Sequence, residues 1–498
     1  MKIATPDMIS KIDSFAVNNL NIPATELMRR SAVAVCDAVL SLSDAGGFVI
    51  ILAGKGNNGG DGYAAARILS NSRKVVVCDV FSAGQRTAEG KYWLENCSSE
   101  IIYGLTDKLF ELIKKCDCIV DGIFGTGMTG EIPTELSSLA DAVNLSEAKV
   151  VAIDLPLGVN AYDGSVSKIC IKADVTVALS FMKPGLLSYP ARGFVGELLL
   201  CDLSLPKEKI EDNFEFKYRF TDEAEARILL PKRSERGNKG TFGRAGLIVG
   251  SEKYLGAAHL SLEAALRGGA GLTYFIGNEK NIPELRSKFP EAIYLAPKSL
   301  EDLKGAVLGL DSLLIGCGSG ASEELYGFIK CALENFDGQL IIDADGLNSI
   351  AVFGTPVILK KAKKQPIITP HPLELSRLSG CTVAEIEKCR LGFAKDFSQK
   401  YNCILLLKGA ATVITDGDRV FINGSGSSAL AKGGSGDALS GLIASLSASG
   451  NDALSAVALA AFVHGRAGDT LSELLSPIGV TPSDLPLAMA KELAGLYR

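Results

Sequence analysis

The stretch Lys432-Gly433-Gly434-Ser435-Gly436-Asp437 places four small residues and a carboxylate directly before an apolar-periodic pattern over 438–444. Small residues at a helix start leave backbone N–H groups open at the positive end of the helix dipole. A phosphate or a developing oxyanion can be held there. Asp437 then stands where a base could take a proton from a hydroxyl facing that phosphate. A glycine turn with Asp437 as a plain helix-start charge would use the same residues. Further stretches favour the chemical reading. Lys408-Gly409-Ala410-Ala411-Thr412 sets a cation and small residues after the apolar run Ile404–Leu407. Asp343 and Asp345 follow the apolar run 340–342 and would share one face if extended. They suit a magnesium-bound phosphate or a cap on the next helix. His371 is held extended between Pro370 and Pro372 after the apolar run 367–368. Gly316-Cys317-Gly318-Ser319-Gly320 follows 313–315 as another phosphate-style loop.

The N-terminal half carries its own set. Gly54, Gly56 and Gly59 match G-x-G-x-x-G between the apolar run Phe48–Ala53 and a helix pattern over 63–70, and Asp79 ends the next strand about 20 residues on. That is the dinucleotide-binding fingerprint. The adjacent Asn57, Asn58, Gly60, Asp61 and Gly62 exceed what the fingerprint needs. The asparagines add oxygen acceptors near a phosphate or cation, or merely favour a turn. A second glycine loop runs from Gly122 through Gly125, Gly127 and Gly130 to Glu131, after a strand ending at Asp121. Asp154-Leu155-Pro156 follows the strand 150–153. Ligands of an open parallel sheet gather at the carboxyl ends of strands, where Asp61, Asp121 and Asp154 fall.

These residues need two scaffolds. The chain has 498 residues, too many for one ordinary core. One or two helices over 1–40 and about six strands to 201 make an α/β domain, and a charged, patternless stretch over 204–220 sets a boundary near 212. Strands and helices alternate again beyond a basic loop over 232–241 that could close over an anion or lie solvated. Net charge is −6, from 51 basic and 57 acidic residues, which argues against a general nucleic-acid binder. The 12 cysteines lack paired metal spacing, and His259, His371 and His464 are the only histidines, so no zinc site is expected. The cysteines fit free thiols of a reducing cytosol. No signal peptide is expected from the charged N-terminus, and the apolar pattern over 453–463 is too short to span a membrane.

Taken together, the motifs resemble the bifunctional NAD(P)H-hydrate repair enzymes, an epimerase domain fused to a nucleotide-dependent dehydratase domain. Gly-Asn-Asn-Gly-Gly-Asp-Gly at 56–62, Val-Asp-Gly-Ile-Phe-Gly-Thr-Gly at 120–127 with Gly-Glu at 130–131, and Ile-Asp-Leu-Pro at 153–156 carry the first half. Lys-Gly-Thr-Phe-Gly at 239–243, Asp-Ala-Asp-Gly-Leu-Asn at 343–348, Thr-Pro-His-Pro-Leu-Glu at 369–374 and Lys-Gly-Gly-Ser-Gly-Asp at 432–437 carry the second. The resemblance implies a Rossmann-like three-layer epimerase domain over 1–212 and a ribokinase-like dehydratase domain over 213–498. It implies that the R and S hydrates of NADH or NADPH are interconverted in the first domain. The S hydrate would be phosphorylated and stripped of phosphate in the second, with ADP favoured over ATP and Mg²⁺ required.

By the same resemblance, Asn57, Asn58, Gly59, Gly60 and Asp61, together with Gly125, Thr126, Gly127, Met128, Thr129, Gly130 and Glu131, would hold the hydrate. Asp154 would act there as acid, base or anchor. Asn58 and Asp121 would bind K⁺; the family's usual third ligand, a serine, is replaced by Leu157, which offers only backbone oxygen. Ala257, Gly318 and His371 would contact the hydrate in the second site. Lys408, Gly409, Ala410, Ala411, Thr412 and Gly436 would contact the nucleotide, and Asp437 would be the base. A cytoplasmic homo-oligomer acting on small molecules, without nucleic-acid or membrane partners, is expected. Three other readings compete. An oxidoreductase would use Gly54-x-Gly56-x-x-Gly59 as an NAD site. A ribokinase-like kinase fused to a binding module would release a stable phosphorylated product. A non-enzymatic partner protein would use the first domain alone, against which Asp437 argues.

Overall fold

The computed structural model describes residues 1–82, 84–127 and 131–498. The chain divides into two compact units, Lys2–Tyr218 and Arg219–Arg498, the latter including Met1. Both are α/β.

The first unit is built on seven strands: β1 Phe48–Ala53, β2 Lys74–Asp79, β3 Glu100–Tyr103, β4 Cys118–Gly122, β5 Lys149–Ile153, β6 Val175–Leu179 and β7 Glu197–Cys201. They run parallel in the order β3-β2-β1-β4-β5-β6-β7. The near-continuous apolar strands follow from burial on both faces. Ile50 and Leu52 join one core cluster with Val76, Ile119 and Leu139, while Val49 and Ile51 join the other with Val77, Val120 and Val35. The sequence reading missed β3, whose Ile101 and Ile102 are its only aliphatic residues. Two helices, α1 Pro6–Asn18 and α2 Ala24–Leu42, precede the sheet. α3 spans Asn57–Leu69, so the glycine loop expected at 57–62 is in fact its first turns. Glycines disfavour a helix interior, but tertiary packing overrides that preference here. A Cβ on Gly59 would lie 2.0 Å from the Gly54 carbonyl oxygen, and one on Gly54 would lie 1.8 Å from that of Ile123. The stretch 204–220 also gains order: Ile210 of the helix Lys207–Asn213 is buried with Ile12, Ala16 and Leu205.

The second unit contains β8 Arg244–Ile248, β9 Leu272–Ile276, β10 Ile293–Leu295, β11 Ser312–Ile315, β12 Gln339–Ile342, β13 Ile367–Ile368, β14 Ile404–Leu407, β15 Val413–Thr415 and β16 Val420–Asn423. Among these nine strands the sheet order is β16-β15-β14-β13-β12-β11-β8-β9-β10, and the strand Tyr218–Thr221 continues it beyond β16. Pairing is parallel from β14 to β10 and antiparallel at β14/β15 and β15/β16. Helix α4 spans Leu255–Arg267, α5 Pro372–Ser379, α6 Ser435–Ala448 and α7 Ala453–Gly479, the last broken at Ser476. α6 is buried on nearly every side, as its apolar and small residues require, and packs with Leu262 and Ala265 of α4 in the main core. Among the described residues no helix is long and apolar enough to cross a membrane.

Candidate active sites

In the first unit a cavity of about 870 Å³ opens at the carboxyl ends of β4, β5 and β6. That volume lies in the range of small-molecule sites. Asn57, Asn58, Asp61, Gly125, Thr126, Gly127 and Asp154 line it. Gly59 and Gly60 do not line it; a Cβ on Gly60 would press on the Met28 side chain at 2.8 Å. Glu131 is exposed and not among the lining residues. Met128, Thr129 and Gly130 lie outside the described residues.

Asp154 has a φ of 66° and follows β5. Its Oδ1 accepts from the Leu179 N–H at 3.1 Å and pairs with the Lys183 ammonium. Lys183 is fully buried and also donates to the Leu179 carbonyl at 2.6 Å. Asp61 is 4% exposed. Burial, then the Asp154 charge, pushes its carboxyl well above the usual range. Asn58 donates to the carbonyls of Phe124 and Ile153 at 2.8 and 2.7 Å, and its Oδ1 lies toward Gly125, where an added Cβ would meet it at 2.9 Å. Asp121 is fully buried, and its two oxygens accept from Ile123 at 3.2 Å and Leu157 at 2.7 Å. Burial raises its carboxyl to about 6, against the pull of those two N–H groups. Leu157 itself turns its side chain into the apolar core.

The structure corrects the fingerprint reading. Gly54 and Gly59 are explained by backbone packing, as above. Asp79 is fully buried and ion-paired with Arg86, so it does not present a free carboxylate to a ribose. Lys183 and the helix α1 residue Asp13 also line the cavity, and sequence reasoning missed both. They lie 170 positions apart (183 minus 13) without a local pattern, and only the Lys-Pro step at 183–184 after β6 hinted at either.

In the second unit α6 starts at Ser435, with Gly434 at φ 105° as its cap. Its first turn carries Gly436 and Asp437. Lys408, just after β14, reaches Asp343 at 2.8 Å and Glu374 at 4.0 Å. Ser440, one turn along α6 from Asp437, donates to the other Asp343 oxygen at 2.6 Å. Burial would raise Asp343, but the Lys408 charge and the Ser440 hydroxyl outweigh it and hold the carboxyl low. Burial lifts Glu374 despite Lys408. Burial also raises Asp437 to about 6; the Asp343 charge adds to this, and the Cys317 thiol and Lys408 oppose it. A Cβ on Gly436 would stand 3.4 Å from the Lys408 ammonium, so the helix start and the lysine face one another.

His371 caps α5: its Nδ1 accepts from the N–H groups of Leu373 and Glu374 at 3.2 and 3.3 Å. Burial, then Lys408, lowers its pKa. The neutral ring therefore carries its proton on Nε2. Ala257 and Gly318 come together, since a Cβ on Gly318 would meet that of Ala257 at 2.6 Å. Gly409 to Thr412 form the turn between β14 and β15, where the Thr412 hydroxyl donates to the Gly409 carbonyl at 2.8 Å. The expected shared face of Asp343 and Asp345 does not form. Asp345 opens the helix Asp345–Phe353 after Ala344 at φ 47°, and its Oδ2 accepts from Gly320 at 2.8 Å.

A family model described as NAD(P)H-hydrate dehydratase matches residues 245–490, and one described as YjeF-related protein N-terminus matches residues 24–185. The bifunctional NAD(P)H-hydrate repair enzyme Nnr of Thermofilum pendens is 31% identical, over 100% of this chain and 97% of the relative. The chain belongs to the bifunctional NAD(P)H-hydrate repair enzymes. The Escherichia coli enzyme of the same name is 33% identical over 96% of this chain and 91% of its own length. A crystal structure of the ADP/ATP-dependent NAD(P)H-hydrate dehydratase from Bacillus subtilis, co-crystallised with ATP/Mg²⁺, is 30% identical. It aligns with a TM-score of 0.51 over 56% of this chain and 98% of that one. The second unit thus has the dehydratase's ribokinase-like fold, as the motif order implied.

Proposed function

We propose that the chain repairs hydrated NADH and NADPH, with the first unit epimerising the R and S hydrates and the second dehydrating the S hydrate at the expense of ADP or ATP. The observation that carries this is Asp437 in the first turn of α6, its carboxyl raised to about 6, facing the Lys408–Asp343 pair. A base with a pKa near the working pH beside an anion-stabilising helix start suits phosphoryl transfer to a hydroxyl.

Asp437 takes the proton of the ring hydroxyl as that oxygen attacks the terminal phosphoryl group. The oxygen–phosphorus bond forms and the bond to the leaving nucleotide breaks. The N–H groups at the start of α6, Gly436 among them, and the Lys408 ammonium stabilise the charge on the transferred group. The carbon–oxygen bond then breaks, phosphate leaves, and loss of the neighbouring ring proton restores the dihydronicotinamide. Gly409, Ala410, Ala411 and Thr412 present the nucleotide. Ala257, Gly318 and His371, through its Nε2–H, contact the hydrate. Among the described residues no group of three or more His, Cys, Asp or Glu side chains could hold a metal ion. Lys408 already occupies the space between Asp343 and Glu374. Mg²⁺ enters with the nucleotide co-substrate, and ADP is the favoured nucleotide, as the family resemblance implies.

In the first unit Asn57, Asn58, Asp61, Gly125, Thr126, Gly127 and Asp154 bind the hydrate from the cavity wall, with Asp154 acting on protons there. Asp121 is a buried carboxylate whose oxygens accept from the backbone N–H groups of Ile123 and Leu157, with no cation against it among the described residues. A K⁺ ion held by Asp121 and the Asn58 Oδ1 would supply the missing counter-charge. The epimerase occupies residues 1–212 and the dehydratase 213–498, a division supported by the compact units that part between Tyr218 and Arg219. The protein works in the cytoplasm on small molecules, as a homo-oligomer, without nucleic-acid or membrane partners. Incubation with mixed R and S NADH hydrates, MgCl₂, KCl and either ADP or ATP tests the reading. Full recovery of reduced-nicotinamide absorbance is expected with ADP. Absence of nucleotide-dependent recovery, or accumulation of a stable phosphorylated product, would favour the kinase reading instead.

A further inference from the structure

Among the described residues, the cavity of the first unit holds more carboxyl groups than its one buried cation can balance. Asp13, Asp61, Asp154 and Lys183 all line it. If all three carboxyls ionised around one ammonium, two negative charges would stand uncompensated in a poorly hydrated space, and at least one proton is retained. Lys183 pairs with Asp154. Asp61 is almost fully enclosed and raised well above the ordinary range, so its proton has little access to solvent.

Asp13 differs from both. It projects from α1 into the cavity, is half-buried, and has no hydrogen-bond partner among the described residues. Burial raises its carboxyl to about 6, with Lys183 opposing and Asp154 adding. The remaining ionisable groups lining the same space are Asp7, Glu89 and Tyr162, of which Asp7 accepts from the Tyr162 hydroxyl at 2.8 Å. From α2 the cavity receives Ala24, Leu27, Met28 and Ser31, none of them ionisable. Helix α1 also lies before the residues 24–185 matched by the N-terminal family model.

We propose that Asp13 is the proton-donating catalytic acid of the epimerase step, working against the Asp154–Lys183 pair from a separate wall of the cavity. The inference rests on the epimerase reading of the first unit. The Asp13 carboxyl gives its proton to the ring hydroxyl of the hydrate. The carbon–oxygen bond breaks, water departs, and the lone pair of the adjacent ring nitrogen forms a C=N⁺ bond. Water then adds to the opposite face, the lone pair returns to nitrogen, and Asp154 takes the released proton. Exchange with solvent through the open cavity returns both groups to their starting state. No oxidant or reductant is needed.

The test uses the full chain and its Asp13→Asn variant, with pure R hydrate for epimerisation and pure S hydrate plus ADP as an internal control. Asp13→Asn should slow R-to-S conversion by about 100-fold or more, while S-hydrate dehydration changes less than about twofold. In the wild type, epimerase kcat/KM should fall as pH rises through about 6. That limb should vanish in Asp13→Asn and persist in Asp13→Glu, which keeps the carboxyl. Partial misfolding would lower the amplitude and leave the shape, so the limb separates a chemical role from a structural one. An Asp13→Asn enzyme that epimerises within about threefold of the wild type, or that keeps the descending limb, overturns the proposal. A wild type that never accelerates epimerisation removes the epimerase reading itself, and the Asp13 role with it.

Discussion

Replacing Asp437 with asparagine should abolish dehydration and at the same time stabilise the second unit. Burial lifts this carboxyl from 3.8 to about 6, and the neighbouring Asp343 charge adds to that effect. A raised carboxyl pKa means that the folded state holds its proton more tightly than the unfolded chain does. Stability from this group is therefore present below pH 4 and is lost as pH rises from about 4 to 6. Above about 6 the loss is complete and constant. Two pH units at ~1.4 kcal/mol each give about 3 kcal/mol, and the partial exposure of Asp437 reduces this to about 2 kcal/mol. Asparagine keeps the shape and removes the charge. At pH 7.5 the gain corresponds to a rise of about 4 °C in the melting temperature of a unit this large. Calorimetric melts of both proteins from pH 4 to 8 measure it. The gap should be largest at neutral pH and close as pH falls toward 4, while hydrate repair is lost throughout. An Asp437→Asn protein no more stable than the wild type at pH 7.5, or a gap that ignores pH, would refute the claim that burial strains this carboxylate. Retained repair by that variant would refute its role as the base.

Two further substitutions probe the buried ions. Lys408→Met leaves Asp343 enclosed without its cation. It should destabilise the second unit by about 3 kcal/mol in chemical denaturation, and adding Asp343→Asn should recover most of the stability but none of the dehydration. Leu157→Ser empties a fully buried position in the first unit's core. It should cost about 3 kcal/mol, and its stability should rise more steeply with KCl than that of the wild type if the new hydroxyl joins Asn58 and Asp121 around K⁺. Equal KCl dependence of the two proteins would argue against K⁺ at that place.

Much of this architecture was legible because buried parallel strands read as short apolar runs. Phe48–Ala53, Val175–Leu179 and Ile404–Leu407 needed no tertiary information. Glu100–Tyr103 and Val413–Thr415 escaped because each offers only two or three apolar residues among polar neighbours. The start of α3 escaped for another reason: its glycines predict a loop, and only the close approach of Gly54, Gly59 and Ile123 makes them helical. Asp79 sat at the spacing a nucleotide-binding carboxylate would take, but Arg86, seven residues on, claims it. Family motifs located Asp437, Lys408 and Asp154, each local to a glycine or proline signature. Asp13 has no such signature and Lys183 only the Pro184 beside it, so their meaning arises when folding brings distant positions to one cavity.

The two sites share a physical device that no single motif encodes. In each, a lysine following a strand, Lys183 or Lys408, pairs with an aspartate at a strand's carboxyl end, Asp154 or Asp343. That pair takes up the lysine buried with the carboxyls. The carboxyls left over, Asp13 and Asp61 in one unit and Asp437 and Glu374 in the other, are raised by burial. Two of these, Asp13 and Asp437, face open space and reach about 6, close enough to neutrality to exchange protons during turnover. Pairing one carboxylate firmly is what leaves its neighbour free to titrate. Removing either lysine should therefore do more than delete a charge, because the proton would redistribute over every carboxyl in that site.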